Sequence, residues 1–197
     1  MLADTAPARP MLLVDVDGPL NPYAAKPHQR PVGYQTHRLM TPTWEAAERR
    51  RLAQWGLPQK RLTPLRVWLN PEHGPALASL PFDLVWATTW EHEANDYIGP
   101  VLGLPRLPVI AWLTGRPKPK AGVFWKTPQI VDWTDGRPFA WIDDEITDAD
   151  RDYVAEFHTG PALLRRIDPR LGLLEDDFAA LDAWAVGLAA ETGAEKS

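Results

Sequence analysis

Asp15 and Asp17 stand two residues apart at the end of an apolar run, in MLLVDVDGPLNP, residues 11 to 22. Gly18 and Pro19 follow at once. Farther along, FDLVWATTW carries Thr88 and Thr89 near its end, and PFAWIDDE closes on Asp143, Asp144 and Glu145. Lys126 lies 17 residues before Asp143. Paired carboxylates are the groups that general acid–base work and oxygen-preferring cations use. A single Asp-x-Asp-Gly after a strand is also what a solvated turn looks like. Three apolar runs ending in polar groups of matching kind argue for a shared site instead.

Those residues meet only if the elements carrying them are aligned. MLLVDV reads as a buried strand, short and apolar on both faces. LRVWLN, FDLVWATTW, LPVIAWL, PFAWIDDE and PALLRRID are further strand candidates. Helices are predicted between them. TPTWEAAERRRLAQWG has Thr41 as cap, Pro42 in the first turn and Gly56 as stop. PEHGPALASL and TPQIVDWTDG are short helices, and EHEANDYIGPVLG is one that Gly99-Pro100 ends or kinks. A last helix over roughly 173 to 190 keeps Leu174, Phe178, Leu181, Ala185 and Leu188 on one stripe. Residues 21 to 40 hold three prolines and little periodicity, so loop is expected there, with room for a short hairpin. Strands alternating with helices predict an α/β domain with a parallel sheet. Sites in such sheets lie beyond the carboxyl ends of the strands.

The chain has 197 residues, which suits one domain with an insertion. It has no cysteine, which excludes disulfides, thiolate metal sites and a cysteine nucleophile. His28, His37, His73, His92 and His158 lack metal-site spacing. No basic leader precedes an apolar stretch and no apolar run reaches membrane-spanning length, so no membrane partner and a cytoplasmic location are expected. Charge is uneven. Residues 21–80 carry nine Lys/Arg against three Asp/Glu, while residues 81–197 carry eleven against twenty. A basic segment in an acidic chain suggests a local anionic partner.

In these motifs the chain resembles the haloacid dehalogenase (HAD) superfamily of aspartate-nucleophile phosphohydrolases. DVDGPL is similar to its first motif, VWATT to its second, Lys126 to its third and WIDDE to its fourth. The order is right and the motifs span residues 12 to 145; Pro19 is unusual at its place. The resemblance implies a HAD-like three-layer α/β sandwich with a central parallel sheet and a small cap or flap inserted after the first strand. It implies Mg²⁺-dependent hydrolysis of a phosphomonoester through an aspartyl-phosphate. Asp15 would be the nucleophile and Asp17 the acid and base. Asp15, the Asp17 main-chain carbonyl and Asp143 would hold Mg²⁺, with Asp144 as a further or supporting ligand. Gly18 would allow the turn behind the pair. Thr88 would hold phosphoryl oxygens, with Thr89 as its rival. Lys126 would offset negative charge, with Lys120 as its rival. Dehalogenases of the family lack the second aspartate in its acid–base role, so Asp17 argues for phosphate. A phosphotransferase, or a non-catalytic binding protein on the same scaffold, is the alternative.

Asp15 and Thr88 are 73 positions apart, where a strand-helix-strand unit needs about 30 residues. The surplus in residues 21–80 is the expected cap. Tyr34, His37, Arg38 and Arg66 are its candidates for touching the leaving group. Aromatic and basic residues together suit a nucleotide or a phosphorylated nucleic-acid end.

Overall fold

In the computed structural model, which describes residues 9–115, 119 and 121–194, strand β1 (Met11–Val14) is an interior strand of a four-stranded sheet. All four of its side chains are buried, each contributing about 1.5–3 kcal/mol from lost apolar exposure. It pairs in parallel with β4 (Asp83–Trp86) on one side and β5 (Phe139–Asp143) on the other. β6 (Ala162–Arg166) extends the sheet beyond β5 in the same sense, giving the order β4-β1-β5-β6.

Alternation along β1 sends Leu12 and Val14 to one face of the sheet and Met11 and Leu13 to the other. The first face is covered by α2 (His73–Ser79), by a π-turn at Ala94–Ile98 running into α3 (Gly99–Leu102), and by α6 (Glu175–Ala194). The second is covered by α4 (Thr127–Thr134) and α5 (Asp148–Phe157). A parallel sheet flanked by helices is the α/β arrangement expected, and it is compatible with a three-layer sandwich. Among the described residues, no helix is long and apolar enough to cross a membrane.

Residues between β1 and β4 build a second, two-stranded antiparallel sheet from β2 (Gln35–Leu39) and β3 (Leu65–Leu69). Helix α1 (Pro42–Gln54) lies between the two strands in sequence. Thr41 caps it, its side chain accepting from Trp44 N, and Pro42 fills the first turn. Val67 and Leu69 join the main core, so this insertion is packed onto the sandwich and has no separate core of that size.

Two expectations differ from the structure. LPVIAWL forms no regular strand. Only Val109 bridges to Trp86. Pro105 and Pro108 remove the amide donors that a ladder there would need. Conversely, α5 falls where no helix was assigned. Its start is a capping box: Thr147 accepts from Asp150 N, and the Asp150 side chain accepts from Thr147 N.

His73 opens α2 between the rings of Tyr34 and Phe178, and its Nδ1 has no partner. Burial pulls its pKa down to about 4. The native imidazole then stays neutral while the unfolded one takes a proton below its ordinary 6.5. His73 should therefore take away about 3 kcal/mol of stability as pH falls from 6.5 to 4. Denaturant titrations of the parent and His73→Phe across that window test this. The difference between the two curves should grow toward low pH, and parallel curves would refute it.

Candidate active site

The carboxyl ends of β1 and β5 are adjacent. Val14 is opposite Ile142 and the Asp15 amide donates to the Ile142 carbonyl, which sets Asp15 beside Asp143. Lys126 reaches between them. Its Nζ donates to Asp15 Oδ2 and to Asp143 Oδ2, both at 2.8 Å. All three are buried. The remaining oxygens are also held: Asp15 Oδ1 accepts from Val16 N, and Asp143 Oδ1 accepts from Glu145 N.

Lys126 precedes α4, and its placement depends on Asp150, which is fully buried. Asp150 Oδ1 accepts from Phe124 N at 2.7 Å and from the Thr127 hydroxyl at 2.6 Å, on either side of the lysine. One aspartate thus fixes the start of α5 and the turn that delivers Lys126. The Thr-x-x-Asp spacing at 147–150 was the sequence signal for it.

Asp17 points elsewhere. Its Oδ1 accepts from Asn21 Nδ2 (2.8 Å) and its Oδ2 from Trp90 Nε1 (2.9 Å). Burial pushes its carboxyl up, and the two hydrogen bonds oppose that rise. Asn21 is buried and also accepts from Trp68 N on β3, so it links the loop after β1 to the insertion. Trp90 is buried in the core and is also an Asp17 partner.

Asp144 accepts from the Tyr23 hydroxyl at 2.9 Å. Burial pushes the Tyr23 phenol up to about 12, and the Asp144 bond adds to it. Gly18 has φ of 91°, and a Cβ there would lie 2.7 Å from Asp144 Cβ and Cγ. Both the left-handed backbone and the close approach require glycine.

A carboxylate oxygen from each of Asp15, Asp143 and Asp144 can be chosen so that all lie within 4.8 Å of one another. Three buried carboxylates stand near one lysine, which bonds only Asp15 and Asp143, a deficit of positive charge. Burial, with Asp15's charge added, pushes the Asp143 carboxyl up, and the Lys126 ammonium opposes that rise. Burial pulls Lys126 down, but the two carboxylates outweigh it and keep the ammonium protonated. Hard oxygen donors with unmatched negative charge fit a small dication, and this cluster could bind one.

A cavity of about 740 Å³ opens onto the group. Asp15, Asp17, Asp144, Thr89 and Lys126 line it from the sandwich, and Arg38, Trp44 and Arg66 from the insertion. Thr88 does not line it. It is fully buried, its hydroxyl accepting from Trp90 N and its carbonyl from Trp112 Nε1. Tyr34 and His37 also stand apart from the cavity. Tyr34 is buried beside His73, its hydroxyl 2.0 Å from where a Gly172 Cβ would sit. His37 neighbours Arg38 on a strand, so the two side chains take opposite faces. Lys120 lies outside the described residues. No family model, curated protein or solved structure matches this chain.

Proposed function

We propose that this chain is a HAD-type phosphomonoester hydrolase that depends on Mg²⁺ and works through an aspartyl-phosphate on Asp15. The observation that carries this is the pair of adjacent strand ends, Asp15 and Asp143, bridged by a buried Lys126, with Asp17 held two residues on. When bound, Mg²⁺ would be held by Asp15, Asp143 and Asp144 and would supply the charge that lets a carboxylate meet a phosphate.

In the first half-reaction an Asp15 oxygen attacks phosphorus, the ester P–O bond breaks, and the leaving oxygen takes the Asp17 proton. In the second, Asp17 takes a proton from water. The water oxygen attacks phosphorus, the Asp15–phosphorus bond breaks, and inorganic phosphate leaves. Asn21 and Trp90 orient Asp17 for both transfers. Its burial favours the protonated form needed first. Lys126 offsets charge that would otherwise repel the substrate. Thr89, at the cavity wall, supplies a hydroxyl to the phosphoryl group.

Phosphate release from p-nitrophenyl phosphate, nucleotides and sugar phosphates, with Mg²⁺ and in excess chelator, tests this. Turnover that chelator stops is expected. Full activity in chelator would remove the metal's role. No turnover on any substrate would favour a non-catalytic binding protein.

A further inference from the structure

Arg38 and Arg66 sit directly opposite each other in the β2–β3 register, and both line the cavity that opens onto Asp15. Like charges facing across an antiparallel pair repel. Two of the three arginines on α1 are arranged differently: Arg49 pairs with Glu45 and Arg51 with Glu48. Arg38 and Arg66 have no carboxylate partner among the described residues. The Arg66 guanidinium lies 3.9 Å above the Trp68 ring, and its Nη1 is buried without a hydrogen-bond acceptor. Glu93, which follows β4, also lines the cavity, and one of its oxygens already accepts from Thr43 N. Asp15, Asp17, Asp144 and Glu145 line the sandwich side.

Two facing guanidiniums with free donors make a site for a group with several anionic oxygens, such as a phosphate. The cavity, about 740 Å³, is far larger than one phosphate needs and within the range of sites for nucleotide-sized ligands. Trp44 and Trp125 also line it, offering faces on which a base can stack.

We infer that the substrate is a nucleotide carrying a second phosphate, which Arg38 and Arg66 bind while the phosphate to be cleaved meets Asp15. This rests on the hydrolase reading above. Two sources share that chemistry: a nucleoside bisphosphate, and the phosphorylated end of an oligonucleotide, whose second phosphate is a diester.

The probes are AMP, adenosine 3′,5′-bisphosphate and 5′-phosphorylated ApA. Binding is followed by tryptophan fluorescence, which needs no turnover, and hydrolysis by phosphate release. The parent should bind one of the two diphosphorylated probes at least about tenfold more tightly than AMP. Whichever binds tighter names the source. Arg38→Gln should bring that ratio to within about twofold, and Arg66→Gln should do the same. Arg38 is exposed, so Arg38→Gln decides if Arg66→Gln disturbs packing on Trp68. In ligand-free protein Arg38→Gln should leave Tm unchanged or raised, because it relieves a repulsion. Equal affinity of the parent for all three probes, or a ratio that survives Arg38→Gln, overturns the inference. A preference in binding with no hydrolysis of any probe overturns the hydrolase reading and leaves the second-phosphate site standing. Hydrolysis without preference does the reverse.

Discussion

Asp15→Asn is expected to lower phosphate release at least about a thousandfold while changing stability by less than about 1 kcal/mol. The exchange keeps the shape and removes the nucleophile's charge. Two effects on stability oppose each other. One hydrogen bond from Lys126 or Val16 is lost, since an amide offers one acceptor oxygen where the carboxylate offered two. The repulsion from Asp15 that helps push Asp143 up is lost as well, leaving one lysine for one carboxylate between them. For a chain of 197 residues the net change corresponds to a shift in Tm of no more than about 4 °C. Steady-state kinetics on p-nitrophenyl phosphate and calorimetry in chelator check both halves. Near-normal turnover would remove Asp15 as nucleophile. A large fall in Tm would make Asp15 chiefly a structural partner of Lys126.

Lys126→Met is expected to do the opposite to stability. Methionine keeps the apolar stem and deletes the ammonium that holds two buried carboxylates. Breaking a buried ionic group by removing one partner typically costs about 3–5 kcal/mol, because the remaining charges stay desolvated and uncompensated. At about 2–4 °C per kcal/mol for a chain of this size, Tm in chelator should fall by roughly 6–20 °C. Added Mg²⁺ should restore part of that, since a cation among Asp15, Asp143 and Asp144 replaces some of the missing charge. Turnover should drop at least about a hundredfold even with Mg²⁺ present. Melting curves with chelator and with Mg²⁺ decide the matter. A variant as stable as the parent in chelator would show that the Lys126 bridge is not what neutralises the pair.

The opposed outcomes of these two substitutions are informative together. Three buried carboxylates near one lysine are a poor arrangement for stability alone, and clusters of this kind concentrate at functional sites.

Much of this was legible in the chain. The elements of the sandwich were set by local rules that act over a few residues. Apolar runs such as MLLV and FAWI, short and followed by polar or breaker residues, read as strands buried on both faces. Thr41, Pro42 and Gly56 bound α1 through capping, fixed φ and a left-handed stop. From strand ends alone, Asp15 and Asp143 could be set on one edge of the sheet, because parallel strands share the direction of their carboxyl ends; that β1 and β5 are neighbours was decided by the strand order. The capping box at Thr147 and Asp150 is present in the sequence, but four residues without an apolar stripe behind them did not mark α5 as a helix. That Asp150 also steadies the turn carrying Lys126 depends on contacts 23 to 26 residues away.

Tertiary structure alone decided the rest. Asp17 meets Trp90 across 73 positions, and Asn21 meets Trp68 across 47, distances at which no local pattern speaks. Of Thr88 and Thr89, the one at the cavity is set by how the chain turns after β4. In β2, period-two alternation guarantees that His37 and Arg38 take opposite faces. With Gln35, Thr36, His37 and Arg38 all polar, nothing in the strand itself says which face meets the cavity. Composition revealed that residues 21–80 were basic. Only the fold showed that helix pairs absorb part of that charge and that Arg38 and Arg66 are left facing each other over the site, because pairing register is a property of two strands and not of either one.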